Sequence, residues 1–173
     1  MKKLEEGWKP SQFVPWLMET CMVSREKAIL SWMIANKEQE QLAPLDCENG
    51  YSLYVGIPFC PSVCSYCSFS SGPIAQWKNH VEKYMDAICK ELEFIGKASA
   101  DKKLNTIYIG GGTPTSISAE QLDRLLTSID EHFSREHLLE YTVEAGRPDS
   151  ITCEKLDVIY KHNVTRLSIN PQT

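Results

Sequence analysis

The stretch Tyr51-Ser-Leu-Tyr-Val-Gly-Ile-Pro-Phe-Cys60-Pro-Ser-Val-Cys64-Ser-Tyr-Cys67 changes character at its middle. Tyr51 to Ile57 is rich in β-branched, aromatic and aliphatic side chains and reads as a strand. The Asn49-Gly50 pair before it is a turn signal. Directly after the strand, at what is its C-terminal end, three cysteines fall within eight residues.

Downstream, the strand–helix pattern repeats. Gln76 to about Gly96 reads as a helix, with Trp77, Val81, Tyr84, Ile88, Leu92 and Ile95 spaced by three and four. Asn105 to Ile109 is a second strand. Ser118 to Phe133 is a second helix, opened by a Ser118/Gln121 capping box and an Ile117–Leu122 staple. Leu139 to Val143 is a third strand. Thr152 to His162 is a third helix, with Ile151 stapled to Leu156 and Asn163 at a left-handed C-cap. Arg166 to Ile169 is a fourth strand. Alternation of this kind predicts parallel strands joined by right-handed crossovers. An open doubly wound sheet and part of a (β/α) barrel both fit. About 124 residues follow the N-terminal helices, against the ~200–250 or more of a complete eight-fold barrel. The α/β region is therefore read as the first half of a barrel, cut or naturally split. On that reading the last strand has an unpaired edge, and the inward faces of the strands present a large apolar surface.

Upstream, residues 1–48 read as a helical hairpin, and residues 49–173 as the α/β domain. Ser11 to Cys21 carries Phe13, Val14, Trp16, Leu17 and Met18. Ser24 caps a second helix running to about Gln41, with Ala28, Ile29, Trp32, Met33 and Ala35 on its apolar side. Trp8, Trp16 and Trp32 are packing residues on this reading.

Of the 173 residues, 42% are hydrophobic and 24% charged, which excludes disorder as the main state. A net charge of −5 without a basic cluster argues against a nucleic-acid partner. No apolar run approaches the ~18 residues of a membrane span, and the N-terminus lacks the apolar stretch of a secretory signal. These features predict a cytoplasmic protein. Seven cysteines, an odd number, do not suit a disulfide framework. In a reducing compartment the tight triad reads as metal ligation or redox chemistry. Cys21, Cys47, Cys89 and Cys153 read as part-buried thiols.

Three thiolates from one loop can wrap a cubane cluster and ligate three of its irons, leaving the fourth iron open to a substrate or cofactor. Structural zinc is the alternative. It prefers four protein ligands, commonly in two separated pairs, and no second cysteine pair is present. His80, the nearest histidine, is predicted within a helix on its exposed side.

The CxxxCxxC spacing with Tyr66 before the last cysteine resembles the radical S-adenosylmethionine (radical SAM) enzymes. Tyr54-Val-Gly-Ile-Pro-Phe-Cys60 is similar to the branch that contains oxygen-independent coproporphyrinogen dehydrogenase and its haem-chaperone relatives. Gly110-Gly-Gly-Thr-Pro-Thr115, Thr142-Val-Glu-Ala145 and Arg166-Leu-Ser-Ile-Asn-Pro-Gln-Thr173 extend the resemblance over residues 51–173. Each follows or closes a predicted strand, so the four would meet at one mouth. Gly56, where many relatives have His, Glu144-Ala-Gly-Arg-Pro148 in place of Glu-Ala-Asn-Pro, and the Asn-Pro-Gln ending point to a Gram-positive subgroup. The N-terminal hairpin more loosely resembles the segment preceding the barrel in that subgroup.

The resemblance implies that Cys60, Cys64 and Cys67 bind a [4Fe–4S] cluster whose open iron chelates the amino and carboxylate groups of S-adenosyl-L-methionine (SAM). The reduced cluster then yields methionine and a 5′-deoxyadenosyl radical. Gly110, Gly111, Gly112 and Thr113 suit the amino-acid end of SAM, the glycines by close approach and positive φ. Glu144 would accept from the SAM ammonium or ribose. Gln172 and Asn170 would hydrogen-bond the cofactor, and Tyr54 and Tyr66 would flank it. The implied partners are a tetrapyrrole, coproporphyrinogen III or haem, and an electron donor such as flavodoxin or ferredoxin. The implied reaction is oxidative decarboxylation of propionates to vinyl groups, with the isolated chain expected to be inactive. A haem chaperone on the same scaffold, or another tetrapyrrole-modifying radical SAM enzyme, is the alternative.

Overall fold

The computed structural model describes residues 6–171. The chain falls into two compact units, 1–45 and 46–173.

The first unit is a pair of helices, α1 (Pro10–Cys21) and α2 (Arg25–Leu42). Pro10 occupies the first helical position of α1, where its missing N–H costs nothing. Met22, in the left-handed conformation, ends that helix. The Ser24 hydroxyl accepts from the Lys27 N–H and caps α2. Phe13, Val14 and Ala28 are buried. The Phe13 ring lies 5.7 Å from Trp16 and 5.2 Å from Trp32, and Trp8 lies edge-on to Trp16. The tryptophans therefore pack, as expected. Ile29 and Met33 do not: both are exposed, because only one narrow stripe of α2 is covered.

In the second unit, β1 (Gly50–Ile57) is followed by the short strands β2 (Phe59–Cys60) and β3 (Gly72–Pro73) and a one-turn helix α3 (Ile74–Trp77). Then come α4 (Val81–Ala98), β4 (Lys103–Gly111), α5 (Ala119–His132), β5 (Glu140–Gly146), α6 (Cys153–Lys161) and β6 (Arg166–Ile169). The main sheet is parallel throughout, in the order β1-β4-β5-β6. Each long strand pairs with the next in the chain, with no reversal of order. A doubly wound sheet would place later strands on both sides of the first; this is the winding of a barrel wall. The crossover helices lie side by side, α4 on α5 and α5 on α6.

Alternation along the strands divides the sheet sharply. Leu53, Val55, Ile57, Ile107, Ile109, Tyr141 and Val143 face the helices and are buried with Met85, Leu92, Leu122, Leu125, Leu126 and Ile129. The opposite face carries Ser52, Tyr54, Thr106, Tyr108, Glu140, Thr142 and Glu144. The expected large apolar inward surface is thus corrected: this face is lined by hydroxyls and carboxylates. Thr106 donates to Ser52 at 2.8 Å and Thr142 to Glu140 at 2.7 Å across it.

The Ser118/Gln121 capping box forms on α5, Thr152 caps α6, and Asn163 adopts φ 53°. Buried His162 is held between Asp130 (2.6 Å) and Asp123 (2.9 Å), tying α6 to α5. The predicted helix over 76–96 is broken. The His80 N–H turns back to the Trp77 carbonyl at 2.7 Å, and α4 starts afresh with His80 as its exposed N-cap rather than within the helix. Of the four scattered cysteines only Cys89 is partly buried; Cys21, Cys47 and Cys153 are exposed. Among the described residues no helix is long and apolar enough to cross a membrane.

Candidate functional site

The parallel sheet brings the C-terminal ends of its strands to one edge, and the site grows there. Past β1, Pro58 turns the chain into β2, whose Phe59 and Cys60 pair with Gly72 and Pro73 of β3. The Gly72 N–H also donates to the Pro58 carbonyl at 3.0 Å. These bonds close the cysteine loop at its base. Within it the Cys67 N–H donates to the Cys64 carbonyl at 3.0 Å, so the last two cysteines share one turn.

The glycine run leaves β4 directly beneath this loop. The Gly112 N–H reaches the Ile57 carbonyl at 2.8 Å and the Thr113 N–H the Phe59 carbonyl at 2.7 Å. Gly111 has φ 113°, and a Cβ on it would sit 2.9 Å from the Ile57 carbonyl oxygen. A Cβ on Gly112 would lie 2.7 Å from the Phe59 carbonyl oxygen and 2.9 Å from the Cys60 sulfur. Positive φ is confined to Gly111 within the run. The run thus has a reason internal to the protein: only a bare backbone lets the cysteine strand lie this close. The Thr113 hydroxyl donates to Cys60 Sγ at 3.4 Å.

Tyr54, Gly111, Gly112 and Glu144 line one cavity of about 490 Å³. Glu144, at the end of β5, accepts from the Tyr108 hydroxyl at 2.5 Å. That carboxylate holds the Tyr108 proton and pushes the phenol up to about 12. Tyr54 stacks on Tyr108 with ring centres 5.9 Å apart, giving a two-ring wall beside the carboxylate. Gly56, Ile57, Pro58, Phe69, Ser70 and Tyr84 complete the lining. Tyr84 donates to the Gly56 carbonyl at 2.5 Å, and its phenol is raised chiefly by burial.

The remaining expectations fall elsewhere. Gly110 is buried on the same face as Tyr108 and Glu144, where a Cβ would lie 2.7 Å from the Tyr108 ring and 3.0 Å from the Glu144 carboxylate, and Thr113 is buried under Cys60. Tyr66 is 77% exposed on the loop and stands outside the lining. Asn170 is exposed, its backbone N–H bound to the Gly146 carbonyl at 2.8 Å. Gln172 lies outside the described residues. Sequence reasoning missed Tyr108, whose alternation with Gly110 and Thr106 was the available signal, and Arg147. The Arg147 guanidinium bonds Ser62 Oγ at 2.8 Å and approaches Cys64 Sγ at 3.9 Å.

Cys60, Cys64 and Cys67 do not line this cavity; their loop contributes Phe69 and Ser70 to it and rests on the glycine turn. A thiol loop against a glycine turn, with a strand-end carboxylate in the adjoining cavity, makes a candidate cofactor site of the α/β strand-end class. Known proteins narrow that class. The family model for the radical SAM superfamily matches residues 54–173, and the chain belongs to that superfamily. It is 39% identical over 99% of its length to the oxygen-independent coproporphyrinogen-III oxidase-like protein HemZ of Bacillus subtilis, of which it covers 35%. It is also 39% identical, over 70% of its length, to the haem chaperone HemW of Lactococcus lactis, covering 30% of that protein. The solved coproporphyrinogen III oxidase HemN of Escherichia coli, a radical SAM enzyme, superposes with a TM-score of 0.62 at 28% identity over 75% of this chain and 29% of that one. The chain spans about a third of the length of these relatives.

Superfamily membership implies a [4Fe–4S] cluster and SAM. The donor set suits such a group. Cys60, Cys64 and Cys67 are all free thiols on one closed loop. A cubane takes each thiolate on a different iron, so three thiols on one short loop can serve it.

Proposed function

We propose that this chain carries the cluster- and SAM-binding portion of a radical SAM oxidoreductase acting on a tetrapyrrole. The substrate is coproporphyrinogen III, whose propionates lose hydrogen and CO₂ to become vinyl groups in haem biosynthesis. The observation that carries the reading is the closed cysteine loop seated on the glycine run beside a cavity walled by Tyr54 and Glu144. When bound, the cluster supplies the electron that cleaves the sulfonium bond of SAM, drawn from a donor such as flavodoxin or ferredoxin.

On this reading Cys60, Cys64 and Cys67 hold three irons. Gly111 and Gly112 open the cavity floor to the methionyl end of SAM, Thr113 keeps that floor against the loop, and Gly110 leaves room beside Tyr108 and Glu144. Glu144, oriented by Tyr108, accepts hydrogen bonds from the SAM ammonium or ribose hydroxyls. Tyr54 offers a ring face, Tyr66 caps the loop from outside, and Asn170 and Gln172 follow β6 toward the same edge. The thiols require a reducing compartment such as the cytoplasm.

The match to the Bacillus protein named oxidase-like includes the N-terminal helices; that supports an oxidase-like role. The chaperone names support a second reading, a haem carrier on the same scaffold. A chimaera in which this chain replaces the matching third of the Bacillus relative separates the two. Under anaerobic reducing conditions with SAM it is expected to release CO₂ from coproporphyrinogen III. Stoichiometric haem binding without turnover would instead establish the carrier.

A further inference from the structure

β5 does not end cleanly. Its pairing with β6 slips between Glu144 and Gly146, so that Ala145 and Gly146 share one place in the register. A bulge of this kind bends a strand and re-aims the side chain that follows. Gly146 has φ 67°, and a Cβ there would lie 2.7 Å from Thr113 Cγ2, so glycine alone fits. The residue redirected is Arg147.

Its backbone is fixed. The Arg147 carbonyl accepts from the Ser150 N–H at 3.0 Å and from the Ser150 hydroxyl at 2.8 Å. Its guanidinium is fixed too. Nε and Nη2 form a fork onto the Asp149 carboxylate at 3.1 and 2.6 Å. The fork leaves Nη1 for the cysteine loop, where it donates to Ser62 Oγ at 2.8 Å and lies 3.9 Å from Cys64 Sγ. A surface arginine would ordinarily be mobile; this one is held at three points and aimed at a thiol.

We propose that Arg147, clamped by Asp149, is a positioning residue for the cluster: it pins the cysteine loop through Ser62 and sets the reduction potential through its charge beside Cys64. The proposal rests on the cofactor reading given above. Cluster potential depends on net charge and on hydrogen bonds to the sulfurs. A fixed cation stabilises the more negative, reduced cluster and so raises the potential. Asp149 holds the guanidinium in place and partly offsets its charge, so the guanidinium nitrogen nearest the sulfur supplies most of the effect.

The test compares the reconstituted wild-type chain with Arg147→Gln, Arg147→Lys and Asp149→Asn. Circular dichroism checks the fold. Two properties are read: the midpoint potential of the cluster by redox titration, and the rate of iron loss to a chelator. Arg147→Gln is expected to lower the potential and speed iron loss about 10-fold. Arg147→Lys, which keeps the charge without the fork, keeps most of the potential but not the slow iron loss. Asp149→Asn falls between wild type and Arg147→Gln in iron loss. Iron uptake lost in Arg147→Gln but kept in Arg147→Lys also supports the assignment. A folded Arg147→Gln with the wild-type potential and iron-loss rate overturns it. A wild-type chain that takes up no iron strikes instead at the cofactor reading itself, so the two failures are distinct.

Discussion

The two faces of the four-stranded sheet use the same strands for opposite purposes. On the helix side, Leu53, Val55, Ile57, Ile107, Ile109 and Val143 are sealed against α4, α5 and α6. On the other side the intervening residues are Tyr54, Tyr108 and Glu144, tied by one hydrogen bond and one ring stack around a cavity. A strand offers alternate residues to each face, so apolar burial on one side leaves the other free for chemistry. The comparison predicts that substitutions on the helix face act on stability and those on the open face act on ligands.

The largest effect is expected where the faces meet at the strand ends. Gly111→Val places a branched side chain at φ 113° against the Ile57 backbone, where strain costs about 1–3 kcal/mol and the overlap with that backbone about 1–3 kcal/mol or more besides. The variant is expected to melt well below wild type and to lose the cysteine-loop geometry with it. A Gly111→Val chain that melts like wild type but binds SAM less tightly would show that the run serves the ligand only.

Next in size, Ile109→Ala on the helix face removes a fully buried side chain and is expected to cost about 2–5 kcal/mol in denaturant unfolding. Tyr108→Phe on the open face should shift the unfolding midpoint far less, yet weaken SAM binding because Glu144 loses its orienting donor. Equal stability losses for the two would break the comparison.

A smaller effect appears in the alkaline range. The Tyr108 phenol is raised from 10 to about 12, first by its hydrogen bond to Glu144. Its folded pKa lies above the unfolded one, so its contribution to stability is whole below pH 10 and is lost as pH rises from 10 to about 12. Tyrosinate absorbance should show one phenol titrating near the top of that window, and Glu144→Gln should bring it down. No change in Glu144→Gln would mean the bond is not formed.

The smallest effect belongs to Tyr141. Its hydroxyl is buried without a partner among the described residues, while its ring lies under Arg135. Tyr141→Phe is expected to leave stability unchanged or to raise it by about 1 kcal/mol, since an unsatisfied hydroxyl is removed.

The helix face was legible because its signals are periodic. The spacing of Val81, Ile88 and Leu92, the Ser118 cap and the Asn163 turn each reflect local physics, and each appears in the structure. The break between α3 and α4 was not legible. No proline or glycine marks Trp77 to Val81, and the break lies in a local turn that closes the His80 N–H onto the Trp77 carbonyl. The cysteine loop and glycine run were legible as motifs, but their contact was not: that Gly112 lies under the Cys60 sulfur depends on the β1–β4 register. Arg147 was visible only as a departure from a pattern, since its reach to Ser62 depends on a bulge that no local propensity signals.

The central claim is that Cys60, Cys64 and Cys67, on one loop, would together hold a single iron–sulfur cluster. Iron and sulfide analysis of the anaerobically reconstituted chain tests it directly. The account predicts a brown chain with about four irons, abolished by Cys64→Ser and kept by Cys153→Ser. A stable, colourless complex with one zinc per chain would contradict it.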